Sequence, residues 1–273
     1  MNNLTGKIST RTRFWATNLG FILLGLMTGS SLMADNVQVY QGLDPNVTVG
    51  STLTSSNTAQ GNYFTAASPL GTYNLITFES APLGNFTSLN LGGGVMLTLS
   101  NANTFASTGA GISKDTTQPG LGFNTTPGGA NFFRFVTKGI KTGASTTADA
   151  TFSFAAPVNS FGGYFTGLGG GGDTVTLNFT NGLSEIFNLA LSNTSSCSPS
   201  CAEFFGFTDS GSQVSSIDLS MAYANITGPD NLAYFIGVDD VQYTSTPEPS
   251  TLTLLGSGLL AVGRLGRKAF KKN

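Results

Sequence analysis

Short runs of alternating apolar and polar residues recur along the middle of the chain. In the segment 174–179, apolar residues alternate with threonines and an asparagine, and this period of two is typical of a strand with one buried face. The Asn181-Gly182 pair that follows favours a tight hairpin turn into a second strand at 185–189. No helical periodicity longer than two turns interrupts such runs, so the pattern predicts an all-β body.

Ten segments of this kind predict strands separated by turn residues. They are 75–79, 95–99, 132–136, 150–154, 160–166, 174–179, 185–189, 203–207, 217–221 and 233–243. The sequence also contains 21 Phe and 36 Gly, with abundant Thr. This composition suits a β-sandwich or jelly roll, which we place at residues 71–245.

The segment before this body, residues 35–70, is rich in Ser, Thr, Asn and Gly. Its scattered valines, at Val37, Val39, Val47 and Val49, could form short edge strands, but no sustained pattern appears. The segment therefore predicts a flexible lead-in.

The first 34 residues have the features of a secretory signal peptide. Basic residues precede the apolar stretch 14–27, small residues follow it, and Ala34 could stand just before the cleavage site. The alternative, a permanent membrane helix, is disfavoured because the apolar run is short and contains Thr17, Asn18 and Gly20. We therefore expect an exported protein.

The last 28 residues, 246–273, combine three features in a fixed order. Pro247, Glu248 and Pro249 come first, an apolar run at 251–263 follows, and a basic end carries Arg264, Arg267 and Lys268. This order resembles the PEP-CTERM family of sorting tails. The resemblance implies an exosortase-type membrane protease and the export machinery as partners, and cell-surface or extracellular localisation.

The tail also predicts a transient membrane anchor. Its apolar residues favour lipid, and the positive-inside rule keeps Arg264, Arg267 and Lys268 on the cytoplasmic side. The apolar run is shorter than the ~20 residues that span a bilayer core, so the span before processing is marginal. An ordinary stop-transfer helix with incidental prolines is the alternative.

The charge of the body argues against several classes of function. Thirteen acids lie between Asp35 and Asp240 against four basic residues, which gives a net charge of 4 − 13 = −9. Nucleic-acid binding is disfavoured because no basic stripe is available for phosphates. The chain has no histidine, which removes His-based catalysis and His-ligated metals, and no acid pair stands in a catalytic motif. We expect a non-catalytic protein.

The only cysteines are Cys197 and Cys201, in the sequence Cys-Ser-Pro-Ser-Cys. In an exported protein this spacing predicts a short-range disulfide. Two free thiols are the alternative, and a metal pair is disfavoured because no second pair of soft ligands exists.

The later part of the body resembles jelly-roll domains of the galactose-binding or carbohydrate-binding-module type, which often precede PEP-CTERM tails. The segments that carry this resemblance are 152–158, 161–164, 204–207 and 238–243. It spans about residues 72–245 and implies an architecture, and a ligand only by analogy.

That resemblance also implies a structural calcium site. Asp239 shares its strand parity with Phe235, Val241 and Tyr243, so we expect it to point inwards. In such modules an aspartate of the closing strand often binds calcium with a glutamate near the first strand, a place that Glu79 occupies. The alternative is that Asp239 caps a turn or pairs with Arg134.

Together these features predict an exported, non-catalytic protein of the cell surface or of an exopolysaccharide matrix. The alternative is an extracellular glycan-binding module that contacts polysaccharide and carries a structural calcium.

Overall fold

The computed structural model describes residues 36–104, 109–115, 121–137, 146–168, 173–189, 200–223 and 234–245. Within these residues the chain forms 13 β-strands, one α-helix and one short 3-10 helix. In chain order they are β1 (Val37–Pro45), α1 (Thr54–Ala67), the 3-10 helix (Ser68–Leu70), β2 (Thr72–Ile76), β3 (Gly84–Asn85), β4 (Ser88–Gly92), β5 (Val95–Ser100), β6 (Gly111–Lys114), β7 (Asn131–Val136), β8 (Thr146–Leu168), β9 (Thr174–Phe179), β10 (Ser184–Asn188), β11 (Cys201–Asp209), β12 (Val214–Tyr223) and β13 (Phe235–Ser245).

The predicted body was all-β, and the structure shows a mainly-β chain whose strands form one antiparallel sheet. Every one of the ten predicted segments overlaps a strand, and 150–154 and 160–166 both fall in β8. The predicted hairpin is also confirmed, because β9 pairs with β10. Of its two turn residues only Gly182, with φ of +85°, takes a positive φ.

Strand β8 organises the sheet through its 23 residues. Its first half pairs with β5 and β12, and its second half pairs with β11 and β13. The rings of Phe152 and Phe161 in this strand have centroids 5.6 Å apart. A straight strand would separate residues nine positions apart by about 30 Å, so β8 bends back between them.

The main hydrophobic core collects side chains from both halves of β8 and from its partner strands. Alternate residues of β9, namely Val175, Leu177 and Phe179, are buried in it, as the period-two pattern predicts. Phe152 and Phe161 belong to the same core. The bend in β8 therefore brings both halves of the sheet to one apolar cluster.

The segment 35–70 departs from prediction, because most of its described part is regular structure. β1 pairs with β11 along its whole length, and α1 buries Ser56, Ala59, Tyr63 and Ala67. These positions are three and four residues apart, which is the spacing of one helix face. Three of the four side chains are small, so the face carries almost no apolar signal. β1 is an edge strand that contains Val37 and Val39, whereas helix α1 departs from the predicted flexible lead-in.

Helix α1 lies close to the strands beneath it because glycines face it. A Cβ atom on Gly42 of β1 would clash with the backbone oxygen of Ser55 and lie 2.9 Å from the Cβ of Ala59. A Cβ on Gly206 of β11 would lie 2.8 Å from the ring of Tyr63. Glycine is thus the residue that permits this approach.

The first turn of α1 is capped from β1 by Asp44. Its two carboxylate oxygens accept the backbone N–H groups of Ser55 at 2.9 Å and Ser56 at 2.8 Å. Burial alone would raise the pKa of Asp44, but these bonds outweigh it and lower the pKa below its usual value. The cap thus joins β1 to the helix.

The chain divides into two units, Met1–Met33 and Ala34–Asn273. The predicted signal peptide and the predicted apolar tail lie outside the described residues. Among the residues that are described, no helix has the length and apolar character needed to cross a membrane.

Candidate functional site

Strand β13 contains a β-bulge at its two consecutive aspartates. Its register against β8 shifts between Asp239 and Gln242. Asp240 has φ of +46°, in the left-handed region that non-glycine residues rarely adopt. The bulge adds one residue to β13 and shifts the alternation of its side chains beyond that point.

This shift corrects the predicted surroundings of Asp239. Val238, before the bulge, and Val241 and Tyr243, after it, all belong to the main core. Asp239 is fully buried, as expected, but it lies on the opposite face from these three residues. Strand parity relates residues only along an unbroken strand, and the bulge interrupts β13 after Asp239.

Both aspartates bind residues 121–131, which we call the threonine loop. Oδ2 of Asp239 accepts the backbone N–H groups of Thr125 at 2.7 Å and Thr126 at 3.2 Å. The carboxylate of Asp240 accepts the hydroxyl of Thr126 at 2.6 Å and that of Thr125 at 3.0 Å. These bonds hold the loop against β13.

The Asp239 carboxylate is only half satisfied by these bonds. Its Oδ1 is buried and has no hydrogen-bond partner within the described part of the chain. Burial raises the pKa of Asp239 to about 7, and the neighbouring charge of Asp240 adds to the rise, whereas the backbone donors oppose it. Burial also raises the pKa of Asp240.

Glu79 holds the other end of the threonine loop. Its Oε1 accepts the Asn124 side-chain amide at 2.6 Å and the backbone N–H groups of Ala130 and Asn131, each at 2.9 Å. The preceding residue, Phe78, is buried with φ of +60°. This left-handed residue ends the extended run, so β2 stops at Ile76 rather than at the predicted position 79.

Glu79 and Asp239, the predicted calcium ligands, therefore bind the same loop through different residues. Amide and hydroxyl donors, not Arg134, are the partners seen for Asp239, and the Arg134 guanidinium donates to the Gly109 carbonyl at 3.1 and 3.2 Å. Over the described ranges, no group of three or more His, Cys, Asp or Glu is placed to hold a metal ion. Calcium binding by Glu79 and Asp239 stays a prediction.

A groove of about 480 Å³ lies between the threonine loop and the segment 49–57, at the start of α1. On one side, Asn57 Oδ1 accepts the Tyr164 hydroxyl at 2.8 Å. On the other side, Asp115 Oδ1 accepts the backbone N–H of Asn124 at 2.6 Å. The remaining lining residues are Val49, Gly50, Ser51, Thr52, Leu53, Phe123, Thr125, Thr126, Pro127, Gly128 and Gly129.

A pair of aromatic side chains lies at the surface near the end of α1. The rings of Phe64 and Tyr73 meet edge to face with centroids 5.0 Å apart, and Phe64 is 44% exposed. By contrast, Tyr63, Tyr164 and Tyr234 are buried. Phe64 is thus an exposed ring that packs against the half-buried ring of Tyr73.

Sequence reasoning singled out Glu79 and Asp239 but missed the residues around them. Asn57, Asp115, Thr125 and Thr126 stand in no recognisable motif, and only the fold brings them to one groove. The Asp239-Asp240 doublet in a strand was the one available signal, because two adjacent buried acids require special backbone geometry.

Only one cysteine of the predicted disulfide lies within the described residues. Cys201 is buried at the start of β11, and it is not a free thiol. Cys197 lies outside the described residues, so the pairing of the two stays a prediction. Pro247, Glu248, Pro249, Arg264, Arg267 and Lys268 also lie outside them.

Comparison with curated proteins finds no significant match to this chain. The family comparison instead identifies its C-terminal segment. Residues 245–268 match the PEP-CTERM protein-sorting motif, which includes the predicted Pro-Glu-Pro residues and Arg264, Arg267 and Lys268. The predicted tail is confirmed, and the motif implies an exported protein that an exosortase sorts to the cell surface.

Proposed function

We propose that this protein is a non-catalytic component of the cell surface or of an exopolysaccharide matrix, sorted there by its tail. The observation that carries the proposal is the PEP-CTERM match at residues 245–268. A sequence without histidine and a body with a net charge of 4 − 13 = −9 support a role that depends neither on His-based catalysis nor on nucleic acid.

We further propose that the body is a jelly roll. The bend of β8 between Phe152 and Phe161 supports this architecture, because it turns the two halves of one long strand towards a shared core. In a sandwich, two sheets pack their apolar faces together in this way.

The sorting proposal is tested in the native host by following the C-terminus. We expect the surface fraction to contain protein that ends near Pro249, as measured by mass spectrometry of the intact protein. Replacing Pro247, Glu248 and Pro249 together by alanine should leave the tail uncut and the protein in the membrane fraction.

The matched control replaces Ser250 and Thr251 by alanine, which changes the tail but keeps the Pro-Glu-Pro residues. This variant should be processed like the natural protein. Recovery of an intact Lys272-Asn273 terminus from the surface fraction of the natural protein would rule out processing.

A second candidate function is glycan binding with a structural calcium. The contact between the exposed Phe64 and the half-buried Tyr73 favours it, because accessible aromatic rings are the usual platforms on which sugars stack. A pull-down against a panel of polysaccharides tests this candidate. Binding should weaken in Phe64→Ala and Tyr73→Ala, and the absence of binding to the whole panel would eliminate it.

The calcium part of this candidate has its own test. At a calcium concentration 100-fold above the dissociation constant, binding to the native state alone stabilises a protein by about 2.7 kcal/mol. The melting temperature should fall with a chelator and recover with calcium, and Asp239→Ala should lose the response. Identical melting curves with chelator and with millimolar calcium would exclude the site.

A further inference from the structure

We propose that the groove between residues 49–57 and the threonine loop binds a neutral sugar unit, held between Asn57 and Asp115. The inference rests on the glycan-binding candidate and locates its ligand site.

The two sides of the groove offer complementary hydrogen-bonding groups. Asn57 uses its Oδ1 to accept from Tyr164, which leaves its amide N–H groups without a partner among the described residues. Asp115 accepts the backbone N–H of Asn124 with its Oδ1. Its Oδ2 has no hydrogen-bond partner among the described residues. A sugar hydroxyl both donates and accepts, so one ligand can satisfy both sides.

Both groups are held in place before any ligand arrives. The Tyr164 hydroxyl lies 2.8 Å from Asn57 Oδ1, and Tyr164 is itself buried in the sheet. Asp115 is fixed by the 2.6 Å bond from Asn124, whose side chain is in turn bound by Glu79. Such preorganisation lowers the entropy that binding must overcome.

The charge around the groove disfavours anionic ligands. Asp115 lines the groove, and the charge of Glu79 acts on both Asp115 and Asp240. Among the described residues that line the groove there is no Lys or Arg. A uronate, sulfate or phosphate group would therefore meet repulsion without a compensating cation.

The groove also has the dimensions and the apolar floor of a ligand site. Its volume of about 480 Å³ falls within the range of roughly 300 to 1,000 Å³ that is typical of small-molecule pockets. Leu53 and Phe123 are buried beneath it and belong to one hydrophobic cluster with Tyr164. Polar walls over an apolar floor suit the two kinds of surface that a sugar ring presents.

The test is calorimetric titration of the full-length protein with neutral cello-, malto- and manno-oligosaccharides and with a polygalacturonate oligomer. We expect binding of at least one neutral oligosaccharide and none of the polygalacturonate.

Asp115→Asn keeps the acceptor for Asn124 but converts the free oxygen to a donor. Thr52→Trp fills the groove from an exposed position. Each should weaken binding at least tenfold.

Asn62→Trp is the matched control, because Asn62 is exposed on α1 and does not line the groove. It should bind like the natural protein, and circular dichroism should show unchanged melting for all three variants. Unchanged affinity in Thr52→Trp would overturn the inference. If Phe64→Ala or Tyr73→Ala then abolished binding, the glycan-binding candidate would stand without the groove. The groove inference would also be overturned if the protein preferred polygalacturonate, or if it bound none of the neutral oligosaccharides.

Discussion

The phenol of Tyr234 donates a hydrogen bond of 3.0 Å to Oδ2 of Asp173, and both residues are buried. The bond joins the residue before β9 to the residue before β13. Oδ1 of Asp173 has no partner among the residues described, and the residue lines a small, mainly apolar cavity of about 10 Å³. A carboxylate in such a place is costly to ionise.

The stability of the protein should therefore depend on the protonation of Asp173. Burial raises the pKa of Asp173 from 3.8 to about 6, although the bond from Tyr234 lowers it in part. The folded state thus holds the proton more tightly than the unfolded state. The protonated Asp173 therefore stabilises the folded state fully below about pH 4, and this contribution is lost as the pH rises through 6.

Asp173→Asn removes this dependence because asparagine does not titrate. Urea unfolding at pH 4, 5, 6 and 7 should show the natural protein losing stability relative to the variant, on the order of 3 kcal/mol in all. Tyr234→Phe should move the loss to higher pH, since it removes a donor to the carboxylate. If the free energy of unfolding changed with pH in the same way for the natural protein and for Asp173→Asn, the prediction would be contradicted.

Gly42→Ala should destabilise the protein at the contact between α1 and β1. The added methyl group would clash with the Ser55 backbone oxygen and crowd Ala59. Overpacking of this kind costs about 1 to 3 kcal/mol in the free energy of unfolding, as measured by urea titration.

Gly61→Ala is the matched control on the same helix. A Cβ atom there meets nothing within 4 Å, and Gly61 is exposed. Alanine is the better helix former, so this variant should gain roughly 0.5 to 1 kcal/mol. Equal effects of the two substitutions would show that the close approach at Gly42 does not matter.

Asp44→Ala should remove the cap of α1. Loss of an N-cap costs about 0.5 to 2 kcal/mol in the free energy of unfolding. Because the pKa of Asp44 is lowered, its stabilisation is present above about pH 4 and is lost as the pH falls through the folded-state pKa. Asp44→Asn, which keeps one acceptor oxygen, should lose less. A cost in Asp44→Ala that is constant down to pH 2 would argue against a charged cap.

Cys197 and Cys201 should be joined in the exported protein. Non-reducing peptide mapping should recover one linked peptide, and the loop is so short that the entropic stabilisation is about 2 kcal/mol or less. Alkylation of both thiols without prior reduction would disprove the pairing.

Local patterns in the sequence were enough to predict nine of the 13 described strands and the tail. Alternation at Val175, Leu177 and Phe179 reports a buried face directly, because neighbouring side chains of a strand point to opposite faces. The sorting tail was predictable for a similar reason, since its three features follow one another along the chain and need no tertiary context.

Other features were decided only by the tertiary structure, because they depend on contacts between residues that are distant in the sequence. Helix α1 has a nearly polar sequence and is positioned by Gly42 and Gly206, whose missing side chains leave no signal in a hydrophobic pattern. The bulge at Asp240 reverses the alternation of β13, and the partners of Asp239 come from a loop more than 100 residues earlier. Periodicity describes which face a residue takes in a regular element. It cannot report where the element is interrupted or what is packed against it, because packing and hydrogen bonding across the fold set both.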